Sequence, residues 1–357
     1  MNHFYQTTHL PNRTILLEGK EYLYFSGTSY LGLPQNPHFQ ALIKEGVDDY
    51  GNVYGSSRNG NLQLDIYEKA EHQLANWAYA PQALTLSSGM LAGQATIRQL
   101  MLEGYTFVYS PDAHPAVWHV PQVEIPTISF EEWIQSITQI LATISGSKVA
   151  IVTNSVDALR GRSYDFEWVY QLPDTHDIVL VVDDSHGLGV SGNEGKGIWQ
   201  KLPQLPHIRK IVTASLAKGM GLAGGVIFSD SDTLQRIRYS AYFGGCSPIA
   251  PTNLYAYLHA TSLYEAAYLQ LQQNLQQFSS SVKSLSLFPF IDNYPVFYTL
   301  HDELYSFLLE KNILIYSFSY PKPTDKANTR IVLSAWHTTE DIANLSSACH
   351  EFASSYL

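Results

Sequence analysis

The sequence predicts an α/β fold in which a mostly parallel sheet is covered by helices and a smaller C-terminal α+β domain follows. Three observations support this prediction. Short apolar, β-branched runs alternate with helical segments between about residues 83 and 229, a pattern typical of a parallel sheet buried on both faces. After Pro251 the pattern changes to helices with a few short strands. A chain of 357 residues with 45% hydrophobic residues also suits one large and one smaller domain.

Six runs form the predicted sheet, and in chain order they are 83–86, 106–109, 148–153, 177–182, 210–213 and 225–228. We expect an N-terminal arm over 1–35 with a turn at Gly32, a large domain over 36–250, and a small domain over 251–357 that packs with the arm. The small domain should contain a long helix from about 252 to 285, strands near 295–300 and 330–334, and a closing helix from Thr339.

Composition and charge exclude several classes of protein. The 32 acidic residues outnumber the 21 basic ones, and the resulting net charge of -11 repels a nucleic-acid backbone. Cys246 and Cys349 lack the spacing of a zinc site or a disulfide framework. Neither a signal-peptide pattern nor a run of about 18 apolar residues occurs. We therefore expect a cytoplasmic protein that binds no metal, nucleic acid or membrane.

Two charged residues follow neighbouring runs of the predicted sheet. Asp183 comes directly after the run 177–182, and Lys218 follows the run 210–213. The carboxyl ends of parallel strands meet at one edge, where such sheets bind their ligands. An amine that forms a Schiff base and an acid that keeps the pyridine nitrogen protonated are the pair that pyridoxal phosphate requires. A plain salt bridge between the two side chains is the alternative.

Two further strand ends supply groups suited to the same cofactor. The run 83–86 turns through Ser88 and Gly89 into a helix, whose free N–H groups and positive end would hold a phosphate. A tight turn in which Ser88 only caps the helix is the alternative. His114 follows the run 106–109 and could stack on a flat ring, although a histidine in a loop can also have no role.

These motifs resemble those of the α-oxoamine synthases, a family of fold-type-I transferases that depend on pyridoxal phosphate. The resemblance covers most of the chain, and its most specific segment is Asp183-Asp-Ser-His186-Gly-Leu-Gly-Val-Ser-Gly192. The other matching segments are Ser29-Tyr-Leu-Gly-Leu33, Tyr54-Gly-Ser-Ser-Arg58, Ser88-Gly-Met-Leu-Ala92, Glu194-Gly-Lys-Gly197, Ser215-Leu-Ala-Lys218-Gly219, Cys246-Ser-Pro-Ile-Ala-Pro251 and Thr329-Arg-Ile-Val-Leu-Ser-Ala-Trp-His337.

The resemblance implies roles for the matching residues. Lys218 would carry the cofactor, Asp183 would pair with the ring nitrogen, and His114 would stack on the ring, which makes these three the expected catalytic residues. His186 would lie near the ring hydroxyl. The residues implied to form the phosphate site are Ser88, Gly89, Met90, Ser215 and Ser247. The resemblance implies a homodimer with a shared active site, in which Ser247 comes from the second subunit.

The resemblance also implies how a substrate binds, and here the chain departs from the family. Arg330 stands where the family binds the amino-acid carboxylate, a planar anion that suits a forked guanidinium. An arginine at a strand edge in a surface ion pair is the alternative. Ser29 replaces the asparagine that helps to bind that carboxylate. The chain also has Asn154 in place of a glutamate and Ala158 in place of a hydroxyl residue.

The activity implied by the resemblance is the condensation of an amino acid with an acyl-CoA or another acyl thioester, accompanied by decarboxylation. Two alternatives stay open. One is a class I/II aminotransferase or another pyridoxal phosphate enzyme that modifies amino acids, which the changes at Asn154 and Ala158 favour. The other is an inactive protein that keeps the fold, which is disfavoured because a buried lysine and carboxylate are costly to retain without a function.

Overall fold

The computed structural model describes residues 5–319 and 326–357. Its helices and strands are, in chain order, β1 (Thr14–Leu17), β2 (Lys20–Phe25), α1 (Pro37–Tyr50), α2 (Asp65–Ala78), β3 (Gln82–Leu86), α3 (Gly89–Leu102), β4 (Thr106–Tyr109), α4 (Phe130–Ala142), β5 (Lys148–Asn154), β6 (Val156–Asp157), β7 (Arg162–Ser163), β8 (Asp177–Asp183), β9 (Ile208–Ser215), β10 (Gly225–Ser229), α5 (Ser231–Arg238), α6 (Ala241–Gly244), α7 (Pro251–His259), α8 (Thr261–Val282), β11 (Val296–Thr299), α9 (Glu303–Glu310), β12 (Ile313–Ser319), β13 (Ala327–Val332) and α10 (Thr339–Tyr356). None of the helices in these two ranges is long and apolar enough to span a membrane.

The chain divides into two compact units. The first unit comprises Met1–Pro37, Asp157–Ser163 and Ser262–Leu357, and the second comprises His38–Val156 and Tyr164–Thr261. Helix α7, which the sequence pattern assigned to the small domain, therefore belongs to the second unit. It packs against α2 in that unit.

The second unit is built on a six-stranded sheet in the order β3-β10-β9-β8-β5-β4. The pairs β4/β5, β5/β8 and β8/β9 are parallel, and β10 runs antiparallel to both of its neighbours. All six predicted runs form these strands, so the mostly parallel sheet is confirmed. The central strands are buried on both faces, as the adjacent β8 residues Leu180 and Val181 show with no exposed surface, which explains their continuous apolar sequence.

The first unit contains a five-stranded sheet in the order β1-β2-β12-β13-β11. Strands β11 and β13 and the helix α10 lie where the sequence predicted them. The predicted helix over 252–285 is interrupted at Ala260, giving α7 and α8. Strands β1 and β2 were missed, although they form a hairpin whose two-residue turn places Glu18 and Gly19 at positive φ, the geometry typical of such turns.

The predicted turn at Gly32 is present in the first unit. Gly32 has a φ of 65° and donates its N–H to the carbonyl of Ser29 over 3.1 Å. A Cβ atom at this position would lie 3.0 Å from the Trp336 ring. The positive φ and the close aromatic neighbour together require glycine at this turn.

Candidate active site

Three strands of the second unit bring polar residues to one edge of its sheet. Asp183 ends β8, and it lies opposite Asn154 at the end of β5 and opposite Thr213 on β9. Because the three strands are parallel, their carboxyl ends and the loops that follow them share that edge. The residues predicted from strand ends therefore converge there.

Asp183 and His114 form the centre of this edge. The Nδ1 atom of His114 lies 3.8 Å from Oδ2 of Asp183. The Asp183 side chain is buried, and its Oδ1 accepts a 2.9 Å hydrogen bond from the backbone N–H of Ser185. Burial lowers the pKa of His114, the Asp183 carboxylate raises it, and the positive charge of Lys218 lowers it again. His114 thus lies within electrostatic reach of both Asp183 and Lys218.

The start of helix α3 meets the end of β9 beside these groups. A Cβ atom at Gly89 would lie 2.6 Å from Cβ of Ser215, so that only glycine permits this approach. The first N–H groups of the helix, at Gly89 and Met90, have no carbonyl within the helix to bond. Ser88 caps the helix, since its Oγ accepts a 3.1 Å hydrogen bond from Leu91 N–H. The predicted alternative for the Ser88 side chain is therefore observed, and the backbone N–H groups remain suited to an anion.

These residues fit pyridoxal phosphate. Because Gly89 has no Cβ, the free N–H groups at the start of α3 lie against the end of β9, and we call this arrangement the Gly89 cradle. A helix N-terminus suits the phosphate. An imidazole, a buried acid and an amine lie close to one another beside it. His186, on the loop after β8, is half-buried, and Ser247 is exposed in the single chain.

Arg330 and Ser29 belong to the first unit. Arg330 lies on β13 between β12 and β11 and is buried, with its guanidinium 4.1 Å from the centre of the Tyr316 ring. It donates a hydrogen bond to the carbonyl of Ala158. Within the described ranges no carboxylate forms an ion pair with it, and its Nε has no hydrogen-bond partner. A surface ion pair at a strand edge is therefore the wrong interpretation of Arg330.

Ser29 is held through its backbone. Its carbonyl accepts a 2.7 Å hydrogen bond from Oγ of Ser334. Its own hydroxyl is buried and has no hydrogen-bond partner among the described residues. A buried polar atom of this kind is commonly satisfied by a bound water, ion or ligand.

Sequence reasoning gave no role to Asp184, which the structure buries completely beside Asp183. Burial raises the pKa of Asp184 to about 7. Its Oδ2 accepts a 2.9 Å hydrogen bond from Ile198 N–H, while Gly187 and Gly197 lie too close to its oxygens to carry a side chain. The two adjacent aspartates followed by several glycines were the available signal, but only the fold shows which aspartate is enclosed.

A polar depression of about 640 Å³ opens at the opposite edge of the same sheet. Its charged groups neutralise one another, because Glu103 pairs with Arg209 over 2.6 Å and with Arg236 over 3.0 Å. Tyr105 likewise donates a hydrogen bond to Asp177 over 2.8 Å. These pairs explain the depression as a structural ion-pair network.

The chain matches the family model described as aminotransferase class I and II over residues 20–348. It belongs to that family. Curated relatives in the family include the 8-amino-7-oxononanoate synthase of Serratia proteamaculans, which is 29% identical over 95% of this chain and 91% of its own length. The enzyme of the same name from Nitrosomonas eutropha is 26% identical over 95% of this chain and 92% of its own length.

Solved structures show the same fold. The serine palmitoyltransferase of Sphingomonas wittichii superposes with a TM-score of 0.84 and covers 98% of this chain and 92% of its own, at 16% identity. The 8-amino-7-oxononanoate synthase of Francisella tularensis gives a TM-score of 0.70 over 94% of this chain and 99% of its own, at 21% identity. The predicted fold class is thereby confirmed.

Proposed function

We propose that this protein is a pyridoxal-phosphate-dependent acyltransferase of the α-oxoamine synthase type, which condenses an amino acid with an acyl-CoA or another acyl thioester and releases carbon dioxide. The observation that carries the proposal is the grouping of Lys218, Asp183 and His114 next to the Gly89 cradle. The names of the curated relatives support it, since both are 8-amino-7-oxononanoate synthases.

Each part of the cofactor has a candidate partner in the second unit. Lys218 would hold its aldehyde covalently, Asp183 would face the ring nitrogen and His114 would stack on the ring. The N–H groups of Gly89 and Met90 would bind the phosphate, together with the Ser215 hydroxyl. When bound, pyridoxal phosphate withdraws electrons from the α-carbon of an amino acid.

The protein groups then act as base and anchor. The Lys218 amine, displaced when the substrate amine takes its place, receives the α-proton on Nζ. Asp183, as a buried anion, keeps the proton on the ring nitrogen facing it. Arg330 binds the substrate carboxylate through the guanidinium edge that carries Nε, an atom with no hydrogen-bond partner in the part of the chain that the structure describes. Ser29 donates its hydroxyl, which bonds no other described residue, to the same anion.

Lys218→Ala tests the proposal. Purified wild-type protein should absorb visible light after reconstitution with pyridoxal phosphate and should release CoA from an acyl-CoA in the presence of its amino acid. The variant should lose both the absorbance band and the turnover, because no other amine replaces Nζ. Retention of full turnover by the variant, or a wild-type protein that cannot be reconstituted, would refute the proposal.

An aminotransferase is the second candidate. It is favoured by two departures from the resembled family, Asn154 in place of a glutamate and Ala158 in place of a hydroxyl residue. Conversion of a keto acid to an amino acid without release of CoA would identify this activity. Release of CoA that depends on an amino acid would identify the acyltransferase.

We infer a homodimer with shared active sites in the cytoplasm. Ser247 supports the dimer because it is exposed in the single chain, next to Cys246 and near the exposed Tyr242. A second subunit would cover these side chains and bring Ser247 to the phosphate of its neighbour. The reducing compartment is supported by Cys246 and Cys349, which are both free thiols.

A further inference from the structure

The side-chain amide of Asn154 joins strand β5 to the loop that carries His114. Its oxygen accepts a 3.2 Å hydrogen bond from the backbone N–H of His114, and its nitrogen donates a 2.7 Å hydrogen bond to the carbonyl of Asp112. One amide thus holds the backbone on both sides of Ala113. Asn154 also lies opposite Asp183 in the register of β5 and β8, so the bonds tie the loop to the strand end that bears the buried acid.

The loop requires such a restraint. Asp112 has a φ of 58°, in the left-handed region that costs a residue with a side chain about 1 kcal/mol. The His114 ring is 45% exposed, and its 3.8 Å approach to Asp183 is too long for a hydrogen bond. The ring's Nδ1 accepts a 3.2 Å hydrogen bond from Ala116 N–H within the same loop. The position of the imidazole therefore depends on the position of the loop backbone.

We propose that Asn154 is a positioning residue that holds the His114 imidazole against the cofactor ring, a role that rests on the proposed function. The chemistry of the side chain supports this assignment. A carboxylate accepts hydrogen bonds but donates none, so a glutamate could not bond the Asp112 carbonyl while ionised. The asparagine, which departs from the resembled family, supplies the donor and the acceptor that this loop needs.

The test measures how fast the bound cofactor leaves the holoenzyme and how strongly the protein environment induces circular dichroism in the cofactor band. Four proteins are compared: the wild type, Asn154→Leu, His114→Ala and the double variant. If Asn154 acts through His114, each single variant should release the cofactor about tenfold faster and lose most of the induced signal. The double variant should then match His114→Ala within about twofold, because two changes on one pathway are not additive.

Gln94→Leu is the matched control. The Gln94 amide also bonds this segment, donating to the carbonyls of Ala116 and Trp118 over 3.0 Å each, but both bonds lie beyond His114. The control should lower the thermal stability of the cofactor-free protein as much as Asn154→Leu does and leave the cofactor signals unchanged. A purely structural role for Asn154 would make the two variants indistinguishable.

Two results would overturn the assignment while leaving the proposed function intact: unchanged cofactor release from Asn154→Leu, or fully additive effects in the double variant. A wild-type protein that binds no pyridoxal phosphate would overturn both. If Asn154→Leu does not fold, Asn154→Asp replaces it, since this variant keeps the acceptor for His114 N–H and loses the donor for Asp112. It should release the cofactor faster than the wild type, and an unchanged rate would also reject the proposal.

Discussion

Asp184 accepts a 2.9 Å hydrogen bond from the backbone N–H of Ile198 and thereby closes the glycine-rich loop that begins after Asp183. The carboxyl group is fully buried, and burial raises its pKa to about 7. Asp184 is therefore protonated in the folded protein at pH values where it is ionised in the unfolded chain. The loop next to the candidate active site contains a group that titrates near neutrality.

The pH dependence of stability should report this group. With a pKa near 7 in the folded state and an ordinary value of 3.8, the folded protein binds the extra proton between these limits. The contribution of Asp184 to the free energy of unfolding should therefore fall as the pH rises from about 4 to above 7. Asp184→Asn removes the titration and keeps an acceptor for Ile198, so the variant should gain on the order of a few kcal/mol relative to the wild type between pH 5 and pH 8.

Denaturant unfolding at four pH values in that range measures the difference. Asp48→Asn, a change at an exposed position on α1, should show no such trend. A difference between Asp184→Asn and the wild type that stays constant with pH would contradict the assignment.

His337 predicts a second pH effect, opposite in sign. Its ring stacks on Phe25 at 4.0 Å, its Nδ1 accepts a hydrogen bond from Ser334 N–H, and its Nε2 faces the carbonyl of Tyr24. Burial lowers its pKa to about 4, so the unfolded chain binds the proton first as the pH falls from about 6.5 to 4. The contribution of His337 to the free energy of unfolding should drop over this window by on the order of 3 kcal/mol, against the opposite contribution of Asp184.

His337→Gln should be less stable at pH 7 and lack most of this acid-side drop. The measurement is again denaturant unfolding, now between pH 4 and pH 7. His72→Gln, at an exposed position on α2, should keep the wild-type slope. An unchanged slope in His337→Gln would assign the acid sensitivity to another group.

Gly89→Ala should weaken the binding of the phosphorylated cofactor. The added Cβ would lie 2.6 Å from Cβ and 2.7 Å from Cα of Ser215, so the helix start must move away from the end of β9. We expect at least about a tenfold higher Kd for pyridoxal phosphate and a smaller change for pyridoxal, which lacks the phosphate. Gly146→Ala is the control, since its Cβ would meet nothing closer than 3.9 Å. An equal loss of affinity for pyridoxal phosphate and pyridoxal in Gly89→Ala would argue against a phosphate cradle.

Complementation tests the shared active site. Lys218→Ala and Ser247→Asp should each be inactive as homodimers, the latter because a carboxylate would repel the phosphate. In the heterodimer, one site combines Lys218 of one chain with Ser247 of the other, so about half of the wild-type activity should return. Isolation of heterodimers with two affinity tags allows this measurement. No recovery of activity would mean that Ser247 does not serve the neighbouring subunit.

Much of the fold could be predicted because a strand that is buried on both faces has a continuous apolar sequence. The runs that became β3, β4, β5, β8, β9 and β10 are predominantly apolar, and all of these strands except the antiparallel β10 end at the same edge of the sheet. Lys218, Asp183 and His114 were found on this basis. Strands β1, β2 and β12 were missed because each contains an apolar stretch of only three or four residues, such as 313–316 in β12, and periodicity alone cannot distinguish so short a stretch from part of a helix.

The sequence by itself determined the strands of the parallel sheet, the residues at their ends and the glycines that permit close approach. Only the tertiary structure decided that Arg330 is buried against Tyr316 with no acidic partner among the described residues, that burial raises the pKa of Asp184 towards neutrality, and that Asn154 bonds the His114 loop. The reason is physical. Periodicity reports whether one segment is buried, whereas the charge state and orientation of a side chain depend on groups that distant segments bring beside it.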